Sequence, residues 1–450
     1  MIKQLHQLGT KLSFSQRRVL GNIAWLFTDR FLQMGLALFV GLWVARYLGP
    51  DRFGSLNYAM SFVSLFGIIA SLGLDSIVVR DVVRYPDAKH EILGTAFLLK
   101  LIGGLVSIPA VIWVNSLLRP DEPMMQWLVA IVAVGGIFNA FNIISFWFQA
   151  QVNSKYSVIV RNTAYIMTCG IRIALISFEA PLIAFAVALL IEMILGGLGL
   201  LISYQWKERD FHRWSQSMQR ARSLLRDSFP MIITGAVTVI YMRTDSVMLG
   251  QMANDRLVGL YAAVMKLAEM WYFVPGAITG TVFPLVIKLK EQNETLYYER
   301  AQQLFTLMAG LSYLVAIPIS LFSSQLMFIF YGEDYVEGGN VLAIYVWAGL
   351  FVSLGVARGP WMVAGDLLNF RATAAAAGAV INVALNWVLI PRIGIMGATI
   401  ATLISQCISC YLANAFHPKA RELFIRQTKG IFLFGLPQLM HRFWRKGKLI

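Results

Sequence analysis

Long apolar runs separated by short polar connections organise the whole chain. Twelve are long enough to cross a bilayer: 19–45, 54–79, 92–115, 125–149, 158–178, 181–205, 229–250, 257–287, 302–323, 339–365, 368–390 and 393–415. A hydrocarbon core takes about 20 apolar residues per helix. Backbone groups in lipid must pair within the segment that carries them, so the pattern predicts helices. The expected fold class is an all-α polytopic membrane protein with twelve transmembrane helices. The first run follows a basic segment and exceeds the ~7–15 residues of a signal-peptide core. It is expected to stay in the membrane.

Composition supports this reading. Of 450 residues, 58% are hydrophobic and 14% charged, against about 25% charged in soluble domains. A soluble multidomain enzyme and a disordered chain are both excluded. A net charge of +14 would suggest nucleic acid in a soluble protein. Here most cations outside the spans lie on one side of the predicted topology: Lys3, Lys11, Arg17 and Arg18, then Arg80, Arg84 and Lys89, then Lys207 to Arg226, then the tail from Lys419 to Lys448, against Arg46, Arg52, Arg119, Arg256 and Arg392 on the other. By the positive-inside rule both termini are cytoplasmic, and no nucleic-acid partner is expected. Cys407 and Cys410 form a CxxC inside an apolar run and read as packing residues, not metal ligands.

Six cations remain inside predicted spans: Arg30, Lys100, Arg172, Arg243, Lys266 and Arg358. An ionised Arg or Lys at a helix centre costs about 2.5–3.5 kcal/mol even on the lenient insertion scale. These residues are expected to line a shared polar cavity or to pair with acids, with Arg358 and Asp75 near enough to the cytoplasmic end to snorkel. The acids within spans are Asp29, Asp75, Glu192, Asp245 and Glu269; Lys266 and Glu269 are three apart and could pair locally. A cationic cavity suits an anionic head group, because the planar guanidinium matches phosphate oxygens bidentately.

A weak internal repeat divides the chain. Aligning Gly54 with Gly259 places Asp51-Arg52 and Asp255-Arg256 just before the two glycines, one residue out of step. The expected organisation is a cytoplasmic segment 1–18, an N-terminal lobe 19–205 of six helices, a cytoplasmic linker 206–228, a C-terminal lobe 229–415 of six helices, and a basic interfacial tail 416–450. The lobes would be related by a pseudo-twofold axis along the membrane normal, with substrate bound between them. Pro275 and Gly280 suggest a hinge within span 257–287. Trp43, Trp113, Trp127, Trp147, Trp347, Trp361 and Trp387 read as an interfacial belt, whereas Trp271 and Tyr272 could line the cavity or pack in the core. The stretch GIFLFGLPQLM in the tail is too short to span and is expected to lie on the anionic membrane surface.

Four stretches resemble the oligosaccharide (O-antigen or polysaccharide) flippase family of the superfamily that also holds multidrug exporters and lipid II flippases. They are ARYLGPDRFGSLNYAMSFVSLFGIIASLGLDSIVVRDVVR (45–84), FWFQAQVNSKY (146–156), YMRTDSVMLGQMANDRLVGLYAAVMKLAEMWYFVPGAITGTVFP (241–284) and NWVLIPRIGIMGATIATLISQ (386–406). The resemblance implies a two-lobed bundle that moves undecaprenyl-pyrophosphate-linked oligosaccharide across the bacterial inner membrane by alternating access. It implies no cofactor, coupling to protons or sodium ions, and operation beside a polysaccharide polymerase and a chain-length regulator. A monomer is expected. Within that reading Arg30, Arg172 and Arg243 hold the pyrophosphate, with Lys266, Arg358 and Lys100 in support. Asp245 is the nominated coupling acid, with Asp29 and Glu269 beside it.

Two other functions compete. An ion-coupled multidrug exporter of the same fold would favour buried acids and apolar walls. A membrane-embedded polymerase would carry a large extracytoplasmic loop or paired acids on a soluble domain, and neither pattern is present. The five histidines all lie outside the predicted spans.

Overall fold

The computed structural model describes the backbone of residues 14–435 and, before residue 32, only the side chains of Trp25 and Asp29. The described residues are helical, with no strand among them. Among the described residues, nine segments are long and apolar enough to cross a membrane, and a tenth is a pair of shorter stretches, Glu333–Tyr345 and Ala348–Ala364, bent by 44°. The chain is a multi-pass membrane protein.

Two of the nine segments are much longer than one crossing requires. Leu32–Arg84 has 53 residues and Leu368–Phe416 has 49, about twice the length a hydrocarbon core accepts. Each is broken at a glycine. Helix α1 (Phe14–Ser71) is two helices joined across Gly49, at φ 69° and ψ 169°, and Pro50 follows. An L side chain is strained at that φ, and proline lacks the N–H that a helix's first turn cannot use. The runs 368–390 and 393–415 are likewise α16 (Leu368–Ile393) and α17 (Ile395–Cys410), parted by Gly394 at φ 54°. They form an antiparallel hairpin: Gly397 lies against Leu389 at the turn, and Gly378 against Ser405 and Ser409 further down.

The chain divides into two compact units. The first comprises residues up to Leu48 with 59–239, and the second comprises 49–58 with the chain from Ile240 onward. The first unit carries α2 (Asp75–Arg84), α3 (Lys89–Leu118), α4 (Pro123–Gly135), α5 (Asn142–Ala150), α6 (Lys155–Ser177), α7 (Leu182–Lys207) and most of α8 (Met218–Met252). Its core contains Leu74, Ile92, Ile144, Phe148, Tyr204 and Leu224. The predicted linker is ordered, and from Met218 it is already α8. Trp214 packs on Phe97, Phe211 and Tyr204, its Nε1 donating to Tyr204 Oη at 3.1 Å. The Tyr204 hydroxyl donates to Asp210 at 2.7 Å, and Asp210 meets Lys89 Nζ at 2.6 Å. Burial raises the Asp210 pKa, but the hydrogen bonds from Lys89 and Tyr204 outweigh it and leave the carboxyl below its ordinary value.

The second unit holds α9 (Asp255–Glu269), α10 (Phe273–Gln292), α11 (Glu294–Leu321), α12 (Ser323–Tyr331), α13 (Gly339–Tyr345), α14 (Ala348–Ala357), α15 (Gly359–Ala364), α16, α17 and α18 (Arg421–Ile431). Its core includes Val286, Phe305, Met308, Leu354, Trp361 and Met362. The tail takes part in it. Ala420 and Leu423 are core residues, Gln427 is fully buried, and Gly430 lies against Phe305 with no room for a Cβ. Tyr313 donates to the Ile431 carbonyl at 2.8 Å. Gly430, Ile431 and Leu433 therefore meet protein, while Phe432 and Phe434 are exposed; the rest of GIFLFGLPQLM, from residue 436, lies outside the described residues.

Two further expectations change. Within the predicted 257–287 helix the α-helix is interrupted at 270–272, and Pro275 stands in the first turn of α10, beside the interruption. A proline clashes with the turn before it, which places the break there. Gly280 is exposed, further along α10. Of the tryptophans read as interfacial, Trp43, Trp113, Trp127 and Trp387 are exposed, but Trp147 and Trp361 are core. Trp361 is anchored by a 3.3 Å bond from its Nε1 to the Tyr297 carbonyl.

Candidate functional site

The nominated charges separate into different environments. Arg30 lies outside the residues whose side chains are described. Its neighbour Asp29 is buried and ion-paired with Arg161 at 2.6 Å, and it also accepts from Gln33 at 2.8 Å. Lys100 is buried, pairs with Asp75 at 2.8 Å and lies 4.9 Å from the Phe146 ring centroid. Arg172 pairs with Glu192 at 2.6 Å. Arg243 is exposed, and among the described residues no ion pair involves it. Lys266 is exposed and lies over the Phe53 ring at 6.0 Å.

Arg358 does not snorkel. It is 4% exposed. One guanidinium nitrogen donates to the Ser409 carbonyl at 2.7 Å and another to Asn414 Oδ1. Asn414 in turn donates to Gln427 at 2.7 Å. The side chain ties the end of α17 to α18. Trp271 and Tyr272 pack on Gly349, whose missing side chain makes room for both rings.

Asp245 is the most enclosed of the nominated acids. Helix α8 delivers it, and three helices of the same unit surround it. Asn386 of α16 donates to Oδ1 at 2.5 Å. Thr402 of α17 donates to Oδ2 at 2.6 Å, and Tyr261 of α9 donates to the same oxygen at 2.8 Å. Asn386 also donates to Asn382 Oδ1 at 3.1 Å, and the Tyr261 and Thr402 hydroxyls are 3.1 Å apart. The Asn386 Oδ1 is buried without a hydrogen-bond partner. Among the described residues, no Lys, Arg or His forms an ion pair with Asp245.

This is a carboxylate ringed by neutral oxygens in an apolar medium. A bare buried charge is costly, and the hydrogen bonds offset only part of that cost. Two chemistries complete the site: a proton on the carboxylate, or a small hard cation. The second draws on oxygens already present, namely the carboxylate, the amide carbonyls of Asn382 and Asn386, and the Thr402 and Tyr261 hydroxyls, which is the ligand type hard cations take. The orphaned Asn386 Oδ1 fits that set. Tyr261 meets Tyr345 edge-on, with centroids 5.7 Å apart, and Tyr345 donates to Glu269 at 2.7 Å. Aromatic packing thus links Asp245 and Glu269.

Sequence reasoning selected Asp245 and missed its partners. Asn382 and Asn386 are four apart in an apolar run, hence on one helix face. Two amides so placed at membrane depth were the available signal. Arg161 and Glu192 were not singled out as site residues.

The family model for polysaccharide biosynthesis proteins matches residues 19–290. The chain belongs to this family. A curated relative, the Haloferax volcanii protein named probable low-salt glycan biosynthesis flippase Agl15, is 24% identical over 395 residues, covering 86% of this chain and 81% of its own. The capsular polysaccharide biosynthesis protein CapF of Staphylococcus aureus is 18% identical, covering 86% of this chain and 96% of its own. In fold, the chain resembles the lipid II flippase MurJ, in a structure titled as an inward closed conformation. The TM-score is 0.68 at 15% identity, over 92% of each chain. This family member therefore shares the fold of MurJ.

Proposed function

We propose that the chain is a flippase, a transporter and not an enzyme, that carries a lipid-linked oligosaccharide across the cytoplasmic membrane for surface-glycan synthesis. Family membership, the names of the relatives and the MurJ-like fold support this reading. Spontaneous flipping is slow because pyrophosphate and sugar hydroxyls would lose their water in the hydrocarbon core. The expected cargo is undecaprenyl-pyrophosphate-linked, and Arg243, exposed at span depth, is the strongest remaining candidate for its phosphates. Each of the two long broken segments crosses the membrane twice, at Gly49 and Gly394, which with the bent pair brings the spans to twelve. The basic connections support cytoplasmic termini by the positive-inside rule.

The single observation that carries the mechanism is the Asp245 cluster. A carboxylate held by Asn386, Thr402 and Tyr261, from three different helices, changes its fit to those helices when a cation or proton arrives or leaves. Occupancy would bias alternate packings of one unit, which is how ion binding drives a conformational cycle. Proteoliposomes holding a fluorescent oligosaccharide-pyrophosphoryl-polyprenol provide the test. Protein-dependent movement of the probe across the bilayer is expected, faster under an imposed sodium or proton gradient. No protein-dependent movement rejects the flippase. Movement with gradient dependence intact in Asp245→Asn rejects the coupling role.

A further inference from the structure

The first unit contains a polar cavity that the transport reading leaves unassigned. Its volume is about 260 Å³, and Gln33, Asn139, Asn142, Tyr165, Glu192 and Gly196 contribute to its wall. Every one of these belongs to the first unit. The cavity sits where the span 123–150 departs from α-helix. Between α4 and α5 the chain winds as a 3₁₀ helix over Gly136–Phe141, and a 3₁₀ stretch inside a helix often marks a hinge or a strained sequence. There Asn142 donates to Asn139 Oδ1 at 3.3 Å. That bond leaves Asn139 Nδ2 and Asn142 Oδ1 without a partner among the described residues.

Among the described residues, the charges at this cavity are paired. Arg161 is paired with Asp29 and Arg172 with Glu192, both at 2.6 Å. Glu192 uses only one carboxylate oxygen in that bond. A pyrophosphate needs cations that are not already neutralised. An uncharged ligand rich in hydroxyls needs what is present: amide donors and acceptors, a spare carboxylate oxygen, and the Phe138 and Tyr165 rings for its apolar face. The volume lies just below the roughly 300–1,000 Å³ of drug-sized ligand pockets, so it holds about one sugar ring.

We infer that this cavity is a recognition site for one neutral sugar of the lipid-linked oligosaccharide, distinct from whatever holds the pyrophosphate. The inference rests on the flippase reading above. Gly196 supplies a clean probe. It lines the cavity, and a Cβ there meets no atom within 4 Å. A leucine at 196 has a Cβ that meets no neighbour, and its further atoms probe the space proposed for the sugar. Gly170 is an exposed glycine of α6 with equally open surroundings and serves as the control.

The test measures binding of short-chain polyprenyl pyrophosphate, bare or carrying a single hexose, N-acetylhexosamine or hexuronic acid, to the full chain in nanodiscs. At least one neutral sugar should tighten binding about tenfold over the bare lipid, the worth of one or two net hydrogen bonds. Gly196→Leu and Asn142→Ala should abolish that gain, leaving the bare lipid's affinity and the melting temperature unchanged. Gly170→Leu should keep it. The inference is overturned if no neutral sugar improves on the bare lipid, if the hexuronic acid binds best, or if Gly196→Leu retains the gain. Bare-lipid binding and flipping would survive those results, so a failed sugar site is distinguishable from a failed flippase.

Discussion

Gly54 and Gly259, the two glycines that the internal repeat aligns, cross each other with no space for a side chain. A Cβ on Gly54 would lie 1.7 Å from the Asp255 carbonyl oxygen, and one on Gly259 would lie 2.0 Å from the Pro50 carbonyl oxygen. The relation is reciprocal, since each glycine faces the carbonyl four residues before the other. Ser55 closes the crossing with a 2.6 Å bond to the Asp255 carboxylate. Gly54→Ala or Gly259→Ala should each destabilise the fold by about 1–3 kcal/mol, the cost of overpacking a core, and lower the melting temperature in detergent. Gly276→Ala, whose Cβ meets nothing within 4 Å, should leave it unchanged or slightly higher. Equal melting of all three variants would contradict the crossing.

Lys100 and Asp75 separate structural from substrate-binding charge. Lys100 is 3% exposed, and its partner is 59% exposed. Asp75→Asn removes the counter-charge of a buried ammonium, a loss worth up to about 3–5 kcal/mol in a fully buried pair and less here because water reaches Asp75. Lys100→Met with Asp75→Asn should restore the melting temperature. If the pair is only structural, the double variant also restores flipping. Restored melting with flipping still lost would assign Lys100 to the transport path.

Removing the Arg358 guanidinium orphans a bonded carbonyl and an amide in a dry interior. Arg358→Ala should cost about 1.5–3 kcal/mol for each charged hydrogen bond lost and should expose α18 to limited proteolysis. Arg358→Lys should recover only part of the stability, because an ammonium cannot span Ser409 and Asn414 with the same fork. Proteolysis unchanged in Arg358→Ala would show that α18 is held without it.

Asp210 supplies a pH dependence outside the membrane spans. Its pKa is lowered in the folded chain, with the bonds from Lys89 and Tyr204 overcoming burial. A depressed carboxyl stabilises the fold above its unfolded pKa of about 3.9, and that contribution is lost as pH falls through the lower folded value. The melting temperature should therefore drop on acidification below the ordinary carboxylate range. Asp210→Asn should flatten that part of the profile. A slope unaffected by the substitution would place the dependence elsewhere.

How much of this was legible depends on what each feature requires of the chain. Spans announce themselves because lipid demands about 20 apolar residues in sequence, and the runs of 368–390 and 393–415 begin at or near the starts of α16 and α17. Asp245 stood out as an acid at depth. Its ligands did not, because Asn386 and Thr402 are 141 and 157 residues away, and nothing local records such a meeting. Ion pairing was hidden for the same reason: Arg161 finds Asp29 across 132 residues. The docking of the tail was not legible, because its basic apolar composition suits a lipid surface as well as a protein groove, and the packing of Ala420, Leu423 and Gly430 is set by residues such as Phe305, more than 100 positions away.

The docking of α18 also imposes an order on biogenesis. The core around Phe305 and Trp361 is closed by residues 420–433, which are translated after every other helix of that unit. Until they emerge, a gap stays open at Phe305, and the carbonyl of Ile431 is not there to receive Tyr313. The second unit is thus finished post-insertionally, and a nascent chain stalled before Ala420 should present that unfilled groove to the cell's membrane-protein quality control.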